Sequence, residues 1–87
     1  MPGAGASASA GVVMRRLDIN DGWIGRPLTA LEAATSCRVA YLVRFGDALL
    51  PSGETVLQAD DDVFFVIPPD AGPGAERTLQ RPPGVKK

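Results

Sequence analysis

Asp60-Asp61-Asp62, directly ahead of the apolar run Val63–Ile67, is the densest set of acidic side chains in the sequence, and Glu54 stands a few residues before it. Carboxylates so placed suggest metal binding or acid catalysis, but the spacing fits neither. Consecutive residues entering a strand point to alternate sides and do not converge on one ion. Calcium loops place carboxylates at alternate positions and add a later glutamate, and that pattern is missing here. With no histidine in the chain, the usual general base and the commonest zinc ligand are both lacking. Cys37 is the single cysteine, which excludes an internal disulfide and any CxxC-type metal site. Ser7, Ser9 and Ser52 have no partner base. An acid-dependent hydrolase built on Asp60–Asp62 and Glu54 therefore fits poorly, and no catalytic or metal-ligating residue is expected. The aspartates read instead as a turn and a solubilising lead-in to a buried strand, because Asp tolerates left-handed backbone and its charge discourages aggregation beside a sticky segment.

Two arginines are the better candidates for binding. Arg38 and Arg44 flank "RVAYLVRF", and their guanidinium forks suit a phosphate or carboxylate. The plain alternative is a pair of solvated strand ends. Trp23, in a glycine-flanked loop, suits either an interface anchor or a lid over a thin core. Cys37 has no cationic cluster beyond Arg38 and reads as a buried or bystander thiol. Gly3-x-Gly5-x-x-Ala8 has the letters of a dinucleotide fingerprint, yet no strand precedes it, so it is low complexity.

The elements that must position these residues are few. Eighty-seven residues make one small domain with a thin core, one that a partner subunit would help to complete. Nine basic against ten acidic residues leave a formal charge of −1, and without a basic patch nucleic-acid binding has little support. No apolar run is long enough to span a membrane, and the N-terminus lacks the pattern of a signal peptide. Residues 1–11 read as a flexible Gly/Ala/Ser arm. Residues 71–87 read as a Pro/Gly-rich, mostly loose tail with at most a short, frayed helix around Ala75–Gln80.

Between these lies an α+β arrangement over 12–70, ordered strand, helix, strand, strand, strand. The spacing predicts strands near 13–19, 38–45, 48–51 and 63–67, and a helix near 29–36. Thr29 and Glu32 form a capping-box pattern, while Leu28 and Leu31 share a helix face. Gly46-Asp47 marks a hairpin turn. "VAYLV" offers apolar side chains to both faces, more than one short helix can cover. A homodimer is therefore expected, with Val39, Tyr41 and Leu42 in or beside its interface.

The stretch "ALLPSGETVLQADDDVFFVIPP" resembles the closing half of the TrkA C-terminal (RCK C-domain) family, in which a strand ending in proline leads to a Gly-acidic-Thr-Val-Leu loop, then Gly-Asp, then an apolar strand. Pro51, Gly53, Glu54, Thr55, Val56 and Leu57 hold the first of these places. Asp60 stands where the family has glycine, and Asp61 holds the aspartate. Gly25, Leu28, Leu31, Val39, Val43, Arg44 and Gly46 similarly match the family's helix entry, strand and turn. The resemblance spans roughly Met14 to Pro69. It implies a non-enzymatic, cytoplasmic regulatory domain of potassium or other cation transport, peripheral to the inner face of the plasma membrane through a transporter or channel subunit. Such domains usually follow a Rossmann-type nucleotide-binding domain, which these residues lack and a separate chain could supply. Some members bind a small ligand, including cyclic di-AMP, between two copies. No cofactor is expected beyond such a ligand, for which Arg38, Val39, Ala40 and Arg44 are the expected contacts. The alternative is a purely structural dimerisation module without a ligand.

Overall fold

The computed structural model describes residues 11–84. The Gly3-x-Gly5-x-x-Ala8 pattern, the rest of the arm before Gly11 and the last three residues lie outside them. The elements in order are β1 (Val13–Arg16), a 3-10 turn (Asp21–Trp23), α1 (Leu28–Thr35), β2 (Arg38–Arg44), β3 (Asp47–Leu49), β4 (Asp62–Ile67) and α2 (Gly72–Leu79). The strands make one antiparallel sheet in the order β1-β4-β2-β3. The α+β expectation holds, and the short C-terminal helix it allowed for is present as Gly72–Leu79.

β4 shows why the sheet has an inside. Val63, Phe65 and Ile67 are buried and alternate with the half-buried Phe64 and Val66, as the two-residue strand period requires. The inner residues join Leu28 and Leu31 of α1 and Ala75 and Leu79 of α2 in a single core. Both helices therefore cover one face, and no described residue covers the other.

α1 differs from expectation at its start. Pro27 occupies the N-cap and no side chain caps the helix, so Thr29 and Glu32 form no capping box. The Val39 N–H donates to Glu32 Oε2 at 2.9 Å instead, tying α1 to β2. At the other end Ser36 takes the left-handed conformation (φ 60°) that closes the helix. Thr35, a buried polar residue, donates to the Leu31 carbonyl at 2.7 Å and accepts from the Cys37 N–H at 3.2 Å. The first strand stops at Arg16 rather than near 19, because Leu17 turns into the core and Asn20 opens the 3-10 turn by accepting from the Gly22 N–H. The β2–β3 hairpin turns on Phe45-Gly46, one residue earlier than expected. Both residues have positive φ (53° and 81°), as a two-residue hairpin loop demands.

The tail expected to be mostly loose is largely structured. Gly72–Leu79 is helical, with Pro in its first turn, where no N–H is needed. The Asn20 N–H donates to the Leu79 carbonyl (2.7 Å) and Trp23 Nε1 to the Arg81 carbonyl (2.7 Å). The organised domain thus runs past residue 70 and through α2. Two apolar residues one helical turn apart, Ala75 and Leu79, suffice to dock it. A Pro/Gly-rich composition hides so sparse a signal.

β2 holds the main surprise. Val39 pairs with Phe65, but Tyr41 pairs with Phe64, so Ala40 is an extra residue in the ladder. Such a bulge reverses the facing of everything beyond it. Val39 and Leu42 consequently point toward the helices, while Arg38, Tyr41 and Val43 face the uncovered side with their partners Val66, Phe64 and Asp62. Leu42 is 0% exposed, so it belongs to the core and not to an interface.

Leu79→Ala should destabilise the domain by about 2–4 kcal/mol, as for other buried leucines, read from urea unfolding. A loss below ~0.5 kcal/mol, the size of a surface change, would show that α2 is not part of the core.

Candidate functional site

The three aspartates have three different environments. Asp60 adopts φ 69°, the left-handed position where the resemblance expects glycine and aspartate is tolerated. Asp62 begins β4 on the uncovered face, and its carboxylate lies 3.7 Å from Arg16 Nη1. Asp61 turns inward, and its side chain is 0% exposed. The three carboxylates do not converge, and among the described residues no group of three or more acidic, cysteine or histidine side chains could hold a metal ion.

Asp61 is more than a solubilising charge. Arg44 Nε donates to its Oδ1 and Arg44 Nη2 to its Oδ2, both at 2.9 Å, the bidentate geometry that makes arginine–carboxylate pairs strong. The Gln58 N–H adds a third bond to Oδ2 at 2.9 Å, and Arg44 Nη2 also reaches the Val56 carbonyl at 3.1 Å. The end of β2 is thereby fastened to the 56–61 loop. That loop is itself held to the entry of α1: the Leu28 N–H donates to the Thr55 carbonyl (2.9 Å), the Gly25 N–H to the Leu57 carbonyl (2.8 Å) and the Leu57 N–H to the Arg26 carbonyl (2.9 Å). Burial alone pushes the Asp61 carboxyl up. The Arg44 hydrogen bonds, the Gln58 N–H and the guanidinium charge outweigh it, and the carboxyl sits below its ordinary 3.8. The hydrogen bond to Asp61 raises Arg44 against the opposing effect of burial.

The expected ligand contacts do not assemble. Arg44 is committed to Asp61. Arg38 lies at the opposite end of β2, about 20 Å away for six residues of strand, exposed and with no ion pair among the described residues. Val39 packs toward the core and Ala40 is the half-buried bulge residue. Of the expected interface residues, only Tyr41 faces outward. Its ring stacks on Phe64 with centroids 4.6 Å apart and planes 8° from parallel. Trp23 is 5% exposed and is a core residue. Cys37 is buried, as expected.

What strand periodicity missed is which residues lie on the uncovered sheet face. Met14, Tyr41, Val43, Phe64 and Val66 lie on it, edged by Arg16, Arg38 and Asp62. Met14 keeps 57% of its surface exposed. Three surface depressions of about 180, 450 and 500 Å³ lie elsewhere, around the Leu57–Asp61 loop and along the two helices.

The sequence match agrees with this architecture: the TrkA-C domain family matches residues 12–80, from β1 through α2. The chain belongs to the TrkA-C domain family. It is also similar to the Trk system potassium uptake protein TrkA of Streptomyces coelicolor (strain ATCC BAA-471 / A3(2) / M145), at 36% identity over 62 residues. That alignment covers 71% of this chain and 28% of TrkA, so the chain spans little more than a quarter of that relative's length. Among the described residues no helix is long and apolar enough to cross a membrane.

Asp61→Asn should cost about 2–3 kcal/mol at pH 7, less than for a fully buried pair because Arg44 keeps some water contact. Asp62→Asn should change stability by less than ~0.5 kcal/mol. Because the folded-state pKa of Asp61 is depressed, its stabilisation is complete above the unfolded value near 3.8 and is lost as pH falls through the lower folded value. The gap between the native protein and the Asp61→Asn variant should therefore close in acid. Urea melts from pH 7 down to pH 2 test both points, and equal effects of the two substitutions would dismiss the Arg44–Asp61 link.

Proposed function

We propose that this TrkA-C domain is a non-enzymatic regulatory module of a potassium or other cation uptake system. It works as a homodimer on the cytoplasmic side of the membrane, against a transporter or channel subunit, with nucleotide binding supplied elsewhere in the system. The family match across residues 12–80, beside the similarity to a potassium uptake protein, is the observation that supports it. A small domain whose sheet is covered on one side only also suits a part that completes itself by assembly.

In this reading a small anionic ligand, such as a cyclic dinucleotide, sits between two copies with Arg38 as its charged contact. One observation favours the alternative of a pairing module without a ligand: Arg44 is already held by Asp61, which leaves Arg38 alone of the two arginines to meet an anion.

Two measurements test this. Potassium or rubidium uptake by cells carrying and lacking the protein should differ in rate or in its response to external potassium, and identical uptake would overturn the regulatory role. For ligand sensing, cyclic di-AMP at a hundredfold excess over its Kd should raise the melting temperature by roughly 10–20 °C, and Arg38→Ala should abolish the shift. No shift with cyclic di-AMP, ATP or ADP would leave the ligand-free module as the function.

A further inference from the structure

Among the described residues, three that are not glycine have positive φ: Ser36, Phe45 and Asp60. Ser36 closes α1, and Asp60 is of a type that tolerates left-handed backbone. Phe45, at φ 53°, is a bulky aromatic in the first place of the two-residue β2–β3 turn, where Asn, Asp or Gly is the ordinary choice. Burial of the ring would offset that strain, yet Phe45 is 88% exposed, more than any other large apolar side chain among the described residues. Neither turn chemistry nor the core selects phenylalanine here, whereas insertion of an aromatic anchor into a partner does. We infer that the hairpin tip is a docking site, at which Phe45 enters an apolar pocket rimmed by lysine or arginine on a different protein.

The charges around the tip set the chemistry of that partner. Asp47 lies just beyond Gly46, and Asp62 pairs with Val43. The Arg44 bonds to Asp61 and to the Val56 carbonyl bring the loop that carries Glu54 and Asp60 to the same end. Asp47, Glu54 and Asp60 are exposed and have no ion pair among the described residues. Of the arginines here, Arg44 is held by Asp61 and Arg16 lies between Asp18 and Asp62, at 3.0 and 3.7 Å. Arg26 is exposed at the entry of α1. With Asp21, which lines one depression together with Asp18 and Asp60, seven carboxylates stand against three guanidiniums. Such a field repels nucleic acid and anionic lipid headgroups and draws in lysine and arginine side chains. It also disfavours two copies meeting tip to tip, because like charges would face each other. The Arg44–Asp61 link holds the base of the hairpin, so the ring is presented on a fixed support. Docking of this kind requires neither a bound ligand nor a role in cation transport.

Two experiments test this. In the full chain Phe45→Asn should raise the melting temperature by about 4–8 °C, since asparagine takes the left-handed turn position readily. An unchanged or lower melting temperature would show that the fold itself selects phenylalanine, and would overturn the inference. For the partner, the full chain carrying the photocrosslinker p-benzoyl-phenylalanine in place of Phe45 is irradiated in its own cells, and the joined peptide is sequenced by mass spectrometry. The protein so identified is then purified and titrated with the native chain. The joined segment should be apolar and flanked by lysine or arginine. Phe45→Asn should weaken binding about tenfold or more, as loss of an aromatic anchor does. Raising sodium chloride from about 0.05 to about 0.5 M should weaken binding of the native chain by a similar factor. A product joined to a second copy of this chain, or to a segment without basic residues, overturns the stated partner. No joined product, or binding that Phe45→Asn leaves unchanged, removes the docking site. Cosedimentation with phosphatidylcholine–phosphatidylserine vesicles that is lost in Phe45→Asn would put a membrane in place of the protein.

Discussion

β2 lies between β4 and β3, with helices on one face of the sheet and no described residue on the other, so it must send apolar side chains both ways. The extra residue at Ala40 decides which ones go where. Without it Val39, Tyr41 and Val43 would share a face, as simple alternation requires. With it, Val39 and Leu42 meet the helices while Tyr41 and Val43 join Phe64 and Val66 outside. The bulge also marks the point where Glu32 crosses from α1 to accept the Val39 N–H. Core, helix docking and outer surface thus depend on one irregular pair.

The far end of β2 is fixed by a different interaction. Arg44 and Asp61 share two hydrogen bonds, and Asp61 accepts a third from the Gln58 N–H. Removing two charges from water is costly unless their hydrogen-bonding capacity is met, and here it is met on three sides. The pair joins β2 to the loop before β4, and that loop is in turn hydrogen-bonded to the entry of α1. Among the described residues no buried side-chain nitrogen or oxygen is left without a partner.

The other distinctive feature of the fold is the uncovered sheet face, with Met14, Tyr41, Val43, Phe64 and Val66 on it. A domain with helices on one side of its sheet and an aromatic stack on the other has an inside and a half-finished outside.

Much of the architecture was legible from residue order alone. The alternation in "VFFVI", the turn residues around Gly46, the left-handed tolerance of Asp60 and the helix face of Leu28 and Leu31 are local properties, set by backbone sterics and period. The family resemblance rested on those same local features. Tertiary structure decided the rest. A bulge leaves no mark in a run of apolar residues, because Ala40 is as acceptable in the ladder as out of it, so the facing of Tyr41 and Leu42 was open until β4 paired with β2. That Asp61 is the buried partner of an ion pair did not show until Arg44, seventeen residues away, was seen to reach it. The full extent and firm docking of the helix at Gly72–Leu79 showed only in the fold, where Ala75 and Leu79 enter the core. In each case the deciding partner lies far along the chain, where no local pattern records it.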